Sequence, residues 1–381
     1  MSINVSALRS TNVLHCLECG KCTAVCPVSR YNHSFSPRRM IGRMLSSGNA
    51  DGLIDDTLLW TCLTCQLCNE RCPQDVDFSA MMRRIRIDAF SAGRRPAYSH
   101  GGALQSTMRI MTAPDLKQDR LKWIPKDLKV RKSGEDVYFV GCLPYFDAFF
   151  TDIKMDMLAS ANSAIRLMNR LGIEPAVMPD ERCCGHDLLW MGDEENFKRL
   201  AEHNLKIIAA AGAKRVFFSC PEGYRTFSLD IPEYFGTLDF EVVYFPTFLA
   251  ENLDRLPLKS NGKHQVVTYH DACRLGRHMN EYDSPRALLN AIDGVELREM
   301  VRHGAGATCC GTSAWCSCDM YSKQIQSERL RDAKSTGADV LVTSCVKCSV
   351  HFACTQNGPE EQDDIRIPIK DLLTIIAEEV E

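Results

Sequence analysis

Cys16-Leu17-Glu18-Cys19-Gly20-Lys21-Cys22-Thr23-Ala24-Val25-Cys26-Pro27 sets three cysteines at two-residue gaps, a fourth after three more residues, and a proline behind it. The same spacing returns at Cys62, Cys65, Cys68 and Cys72, followed by Pro73. Three thiolates so spaced wrap one face of a cubane iron–sulfur cluster, and in two-cluster ferredoxins the fourth Cys of each motif closes the other cluster. The expected ligand sets are therefore Cys16, Cys19, Cys22 with Cys72, and Cys62, Cys65, Cys68 with Cys26. Zinc is the competing reading. Structural zinc sites use separated Cys pairs or mixed Cys/His sets closed at four ligands, which fits this doubled run poorly. The spacing predicts two [4Fe–4S] cubanes and one-electron chemistry.

Around these motifs, residues 1–98 read as a helical two-cluster ferredoxin domain with a long spacer between its motifs. Pro37 to Leu45 has Pro in its first turn, Ser36 placed to cap it and Gly48 placed to end it. Asp55 to Trp60 supplies another helical turn, and Phe78 to Ala92 is apolar at helical spacing through Met81, Met82, Ile85 and Ala89. Arg38, Arg39, Arg43, Arg83, Arg84, Arg86, Arg94 and Arg95 make this unit basic. A solvated face that offsets the charge of clusters and thiolates explains them, with a docking surface for an acidic redox partner as the sharper alternative. Pro96, Gly101, Gly102, Pro114 and Pro125 break up the next stretch, and residues 99–134 read as a linker.

The whole chain of 381 residues has room for two or three domains, and 45% hydrophobic with 25% charged residues is an ordinary soluble composition. A formal charge of −4 gives no reason to expect nucleic acid. Twenty Cys grouped at metal-ligand spacing fit a reducing cytoplasm better than a disulfide scaffold. Met1 to Val13 lacks the apolar run of a signal peptide, and no stretch approaches the ~20 apolar residues that span a bilayer. The expected location is cytoplasmic, with any contact at the inner face of the membrane made peripherally through a partner.

The remainder is an internal duplication, expected over 135–258 and 259–381. Val137–Cys142 corresponds to Val266–Cys273, Cys183-Cys184-Gly185 to Cys309-Cys310-Gly311, and Ala213–Cys220 to Ala338–Cys345. The paired cysteines are offset by 131, 126 and 125 residues, so each repeat is one unit of similar size. Phe240–Pro246 also matches Ile365–Pro368, each followed by a helix. Short β-rich runs alternate with helical runs at Ile153–Leu171, Glu194–Ala211 and Met320–Ser335, the pattern of an α/β unit with a largely parallel sheet. The cysteines fall at strand ends, where open α/β sheets place ligands. The fold class is α+β multidomain, a helical ferredoxin domain followed by two α/β repeats packed about a pseudo-twofold axis.

Cys, then Cys-Cys-Gly, then Cys-x-x-Cys resembles the CCG domains of heterodisulfide reductases. With the two N-terminal motifs, the whole chain resembles the D-type polypeptide of that enzyme, equivalent to its C-type and B-type polypeptides fused. It is also similar in architecture to iron–sulfur subunits of glycolate oxidase and anaerobic glycerol-3-phosphate dehydrogenase. The second repeat carries the full set, Cys273, Cys309, Cys310, Cys345 and Cys348, and the resemblance implies a noncubane [4Fe–4S] cluster there. The first repeat keeps Cys142, Cys183, Cys184 and Cys220, but Gly223 stands where the fifth ligand belongs. A cubane held by those four, a noncubane centre and a lost cluster all remain open. His270 and Arg277, in a segment similar to the family's His-Asp-Pro-Cys-His-Leu-Gly-Arg, are placed to donate hydrogen bonds to cluster sulfur or a substrate thiolate, or to brace the turn. His186 after Cys-Cys-Gly carries the same two readings, and Cys316, Cys318 and Cys354 are left over as packing thiols or, for Cys316, a redox-active one.

What the resemblance implies is an oxidoreductase subunit that passes electrons from two cubanes to the second repeat, where a disulfide is reduced. Its catalytic set would be Cys273, Cys309, Cys310, Cys345 and Cys348 with His270 and Arg277. The alternative is a non-catalytic wire between a flavoprotein dehydrogenase and a quinone-linked or other membrane acceptor. Either way the expected partners are flavoprotein or membrane cytochrome-type subunits of a larger complex, with a thiol or disulfide as the small molecule. No Gly-x-Gly-x-x-Gly is present to hold a nicotinamide or flavin in a Rossmann site.

Overall fold

Between the cysteine motifs the backbone follows its local signals. The Ser36 hydroxyl accepts from the Arg39 amide at 3.3 Å, and Gly48 takes φ 69°, so the helix Pro37–Ser47 starts and stops at its cap residues. The computed structural model describes residues 5–256, 258, 264–358 and 363–380. The turn expected at Asp55 to Trp60 divides into a helix Asp51–Ile54 and a 3₁₀ turn Thr57–Trp60, because the Asp56 carboxylate caps the Leu58 amide and restarts the chain. The helix Phe78–Ser91, capped by Asp77 at the Ala80 amide, buries Met81, Met82, Ile85 and Ala89 as the pattern requires.

The stretch read as a linker is packed. It holds a 3₁₀ turn Ser99–Gly102 and a helix Ala103–Ile110 that buries Leu104, Gln105 and Met108. Ser99 and Gln105 both donate to the Trp315 carbonyl, tying this segment to the far end of the chain.

Each repeat is a parallel sheet with helices on it. In the first, β1 (Asp136–Phe139), β2 (Arg215–Phe218) and β3 (Glu241–Tyr244) lie in the order β1-β2-β3. In the second, β4 (Gln265–His270), β5 (Val295–Leu297), β6 (Val340–Thr343) and β7 (Ile369–Asp371) lie in the order β5-β4-β6-β7. The counterpart of β5 in the first repeat is reduced to isolated parallel bridges of Ala176 with Val137 and Arg131. Pro175 beside it has no N–H to give to a ladder. The stretch Ile365–Pro368 is matched to β3 by sequence, yet the strand forms one step later. Pro368 only accepts, from the Leu341 amide at 2.8 Å, and pairing begins at Ile369.

The helices Glu194–Ala211 and Met320–Ser335 form as expected, while Ile153–Leu171 resolves into a 3₁₀ turn Thr151–Ile153 and a helix Leu158–Arg170. Val137, Val216, Val267 and Val342 are sealed between sheet and helices, each burial stabilising by about 1.5–3 kcal/mol.

The N-terminal unit is bolted to the first repeat. Arg86, fully buried, donates to the carbonyls of Leu59, Cys62 and Trp190, and the Trp60 indole donates to the Met191 carbonyl at 2.8 Å. Gly192, with φ 109°, is required here, since a Cβ would stand 2.2 Å from the Arg86 carbonyl oxygen. Among the described residues no helix is long and apolar enough to cross a membrane.

Candidate iron–sulfur centres

The two N-terminal motifs build two cavities that exchange cysteines. One is lined by Cys16, Cys19, Cys22, Cys68 and Cys72, with Ile41, Val76 and Phe78 as apolar walls. The other is lined by Cys26, Cys62, Cys65 and Cys68 with Val28, Phe35 and Leu67. Cys26 and Cys72 thus each face the opposite motif. Backbone amides already point at sulfur, Thr64 N to Cys62 at 3.3 Å and Val76 N to Cys72 at 3.4 Å. Burial pushes the Cys26 thiol up to about 12 and Cys62 up to about 11. Such thiols ionise when a metal supplies the missing positive charge. The donor set, its apolar walls and its amide hydrogen bonds fit a cubane at each place. Cys19 is exposed and Cys26, Cys62 and Cys65 are buried, so the first cavity lies nearer solvent.

In the second repeat the five cysteines converge beyond the ends of β4 and β6. The Cys309 thiol interacts with those of Cys273 and Cys310, Cys310 with Cys348, and Cys348 with Cys345. Cys309 also lies against Cys65 of the ferredoxin unit, and its thiol draws the Cys65 thiol below the ordinary cysteine value. Cys273 is partly exposed and the other four are buried.

Buried nitrogens around this set lack partners, those of Arg277, His270 and His351 among them. Arg277 gives Nε to the Cys65 carbonyl at 2.5 Å and Nη1 to the carbonyls of Ala305 and Ala307, which is bracing, but its Nη2 is buried and unpaired. His270 accepts at Nδ1 from Arg329 at 3.1 Å, leaving its buried Nε2 unpaired. The Nε2 of His351 is likewise buried and unpaired. Burial pushes both imidazoles down to about 3, so both are neutral. Orphaned donors around a thiol cluster fit a group that brings further acceptors, as inorganic sulfide does.

The first repeat is arranged differently. Cys142 Sγ lies 3.5 Å from Cys183 Sγ, and Cys183 bonds to Cys184 and receives the Gly185 amide at 3.4 Å. Cys220 is pushed up by burial and by the charge of Cys345 across the repeats. Where the fifth cysteine is missing, Lys347 of the second repeat bridges Asp187 and Glu222, the latter at 2.6 Å. Lys347 sits two residues after Cys345 and Glu222 two after Cys220, so matched positions of the duplication meet as an ion pair. His186 braces this junction, bonding Thr226 through Nδ1 and accepting from Arg274 at Nε2, and burial pushes its pKa well down.

Sequence reasoning missed Lys347, Asp187, Glu222 and His351. Opposite charges at equivalent repeat positions were a usable signal for the pair. The i, i+3, i+6 spacing of Cys345, Cys348 and His351 was one for the imidazole. Cys316 is buried, donates to the Ala314 carbonyl at 3.2 Å and is pushed up to about 12 by burial, a packing thiol. Cys354 meets the Lys323 ammonium at 3.4 Å.

Family comparison places a 4Fe-4S dicluster domain at residues 12–76 and the cysteine-rich CCG domain twice, at 137–227 and 267–353. The D-type polypeptide of the dihydromethanophenazine:CoB–CoM heterodisulfide reductase of Methanosarcina barkeri is 28% identical over 98% of this chain and 96% of its own. The EtfAB:quinone oxidoreductase of Syntrophomonas wolfei is 24% identical over 83% of this chain and 46% of its own. Among solved structures, a hypothetical protein from Helicobacter pylori superposes with a TM-score of 0.57 at 13% identity, covering 90% of this chain and 66% of that one, a likeness of fold alone.

Proposed function

Because the chain is an iron–sulfur protein of the CCG-domain superfamily, of the same type as the D polypeptide of heterodisulfide reductase, we infer that it delivers electrons to its second repeat for reduction of a disulfide. Its relatives are iron–sulfur oxidoreductases, and electron transfer is common to them. The observation that carries the reading is the approach of Cys65 to Cys309, with Arg277 of the second repeat donating to the Cys65 carbonyl, which sets the second ferredoxin cavity against the five-cysteine site. Bound at these cysteines, iron–sulfur clusters supply one-electron relay and a metal site for sulfur.

The chain's own residues do the rest. Cys16, Cys19, Cys22 with Cys72, and Cys62, Cys65, Cys68 with Cys26, hold the two relays in series from the surface inward. Cys273, Cys309, Cys310, Cys345 and Cys348 hold the noncubane centre, and Cys273 presents the half-exposed edge to substrate. Arg277 fixes the Cys65 backbone and keeps a guanidinium N–H for sulfur, and His270 holds a neutral N–H on the same site. The four cysteines of the first repeat would hold at most an additional cluster, beside the Lys347 junction. Electrons would come from a flavoprotein or a cytochrome-type subunit in a hetero-oligomeric, cytoplasmic complex that meets the membrane through that partner.

One observation favours the wire reading: four of the five cysteines are buried. Electron paramagnetic resonance of anaerobic protein, oxidised with and without thiols such as coenzyme M, separates the two. A signal that appears only with thiol, and broadens when its sulfur carries nuclear spin, supports disulfide reduction. Reduced-cubane signals indifferent to every thiol leave electron transfer to a protein acceptor.

A further inference from the structure

We propose that His351 is a second hydrogen-bond donor to the sulfur at Cys310, working with His270 to set the reduction potential of the five-cysteine site. It deepens the reading above and rests on an iron–sulfur group being held there.

The helix Val346–Gln356 carries His351 one turn beyond Cys348, and Cys345 is its N-cap residue. Its ring is sealed from solvent and packs on Trp315 with centroids 5.0 Å apart. The next residue, Phe352, takes the edge of the His270 ring at 4.9 Å, so one helical turn positions both imidazoles. Cys310 is the anionic neighbour that acts on both rings, and both rings in turn act on Cys310.

Hydrogen-bond bookkeeping gives the direction. Arg329 donates to His270 Nδ1, which puts the proton of the neutral ring on Nε2, and that N–H is buried without an acceptor. The Nε2 of His351 is buried without a partner too. Native interiors seldom leave such groups unpaired, and the chemistry at hand that can pair them is electron-rich sulfur. Donation to sulfur stabilises the reduced state, because that state carries the extra negative charge, and so raises the potential. Both donors being neutral, they tune the site without adding a full charge.

The test is a redox titration of the anaerobic, cluster-loaded chain, followed by the paramagnetic signal of the five-cysteine centre. His351→Phe keeps a ring and removes the donor, and His351→Gln keeps an N–H donor and removes the ring. The phenylalanine variant is expected to lower the reduced-to-oxidised ratio at fixed applied potential about tenfold, the scale of one hydrogen bond to a charged group. The glutamine variant is expected to restore most of it, with iron content and the signals of the two N-terminal centres unchanged. Coincident titration curves for wild type and His351→Phe overturn the proposal. If His351→Phe loses iron, His351→Gln decides, and a glutamine variant shifted by the full tenfold overturns it. Absence of any five-cysteine signal in the wild type instead overturns the cofactor reading, and this proposal with it.

Discussion

Replacing Lys347 by Met isolates the energetics of the junction between the repeats. The lysine side chain is 3% exposed and those of Asp187 and Glu222 are 7% and 14% exposed, so solvent screens this triad little. His186, the nitrogen 3.8 Å from Glu222, is kept neutral by burial and offers no replacement charge. Removing one partner of a buried ion pair costs about 3–5 kcal/mol, because the other charge stays buried and unpaired. At roughly 2–4 °C per kcal/mol for domains of this size, the apparent melting temperature should fall by about 10 °C.

The loss should depend on pH. Burial already raises Glu222, and without the ammonium its folded pKa climbs further above the unfolded ~4.3. A carboxyl raised in the folded state binds a proton there first, so the penalty is full above the folded pKa and relaxes as pH falls towards the unfolded one. Melting followed by circular dichroism on anaerobic protein at pH 8 and pH 5.5 should therefore show the larger drop at pH 8. The charge-free triple variant Lys347→Met, Asp187→Asn, Glu222→Gln should recover most of the loss. A single variant that melts with the wild type at pH 8, or a triple no better than the single, would refute the reasoning.

Cys72→Ser should remove the cluster of the first motif and spare that of the second, and Cys26→Ser should do the reverse, read by iron content with Mössbauer spectroscopy. If each mutation emptied its own motif instead, the exchanged pairing would be wrong. Gly192→Ala should destabilise by about 3 kcal/mol or more, since the new Cβ meets backbone, the Arg86 carbonyl at 2.2 Å, and backbone cannot swing away. A melting temperature within 2 °C of wild type, taken as roughly the scale of 1 kcal/mol, would count against that. His270 and His351 stay neutral to about 3 in the folded chain, against ~6.5 unfolded, so the unfolded state takes up protons first. Stability should be flat above pH 7 and decline below 6.5, by about 2 kcal/mol per imidazole at pH 5. His270→Gln should flatten that decline by one share, measured by denaturant titration.

Most of the scaffold was legible because its signals are local. Ser36 and Gly48 bracket a helix whatever surrounds it, and the cysteine spacing alone pointed to the exchanged pairing of Cys26 and Cys72. The strands were found through duplication, since two copies of one pattern reinforce each other. The misses come from contacts between distant segments. Nothing near Ala103–Ile110 announces that Gln105 will hold the Trp315 carbonyl, so a packed helix read as linker. Lys347 went unread in the sequence because its partner lies 160 residues away at Asp187. Pro368 displaced a strand by one step through a missing N–H, an effect that proline carries wherever a ladder reaches it.

The Arg277 hydrogen bond to the Cys65 carbonyl, together with the Arg86 anchor on Trp190, fixes the N-terminal unit against both repeats at once. A carrier of this build has no swinging arm. Its internal transfer should proceed at the same speed in glycerol as in buffer, and lengthening the 99–134 segment should leave that speed unaltered. Only the encounter with an outside donor should slow as the solvent thickens.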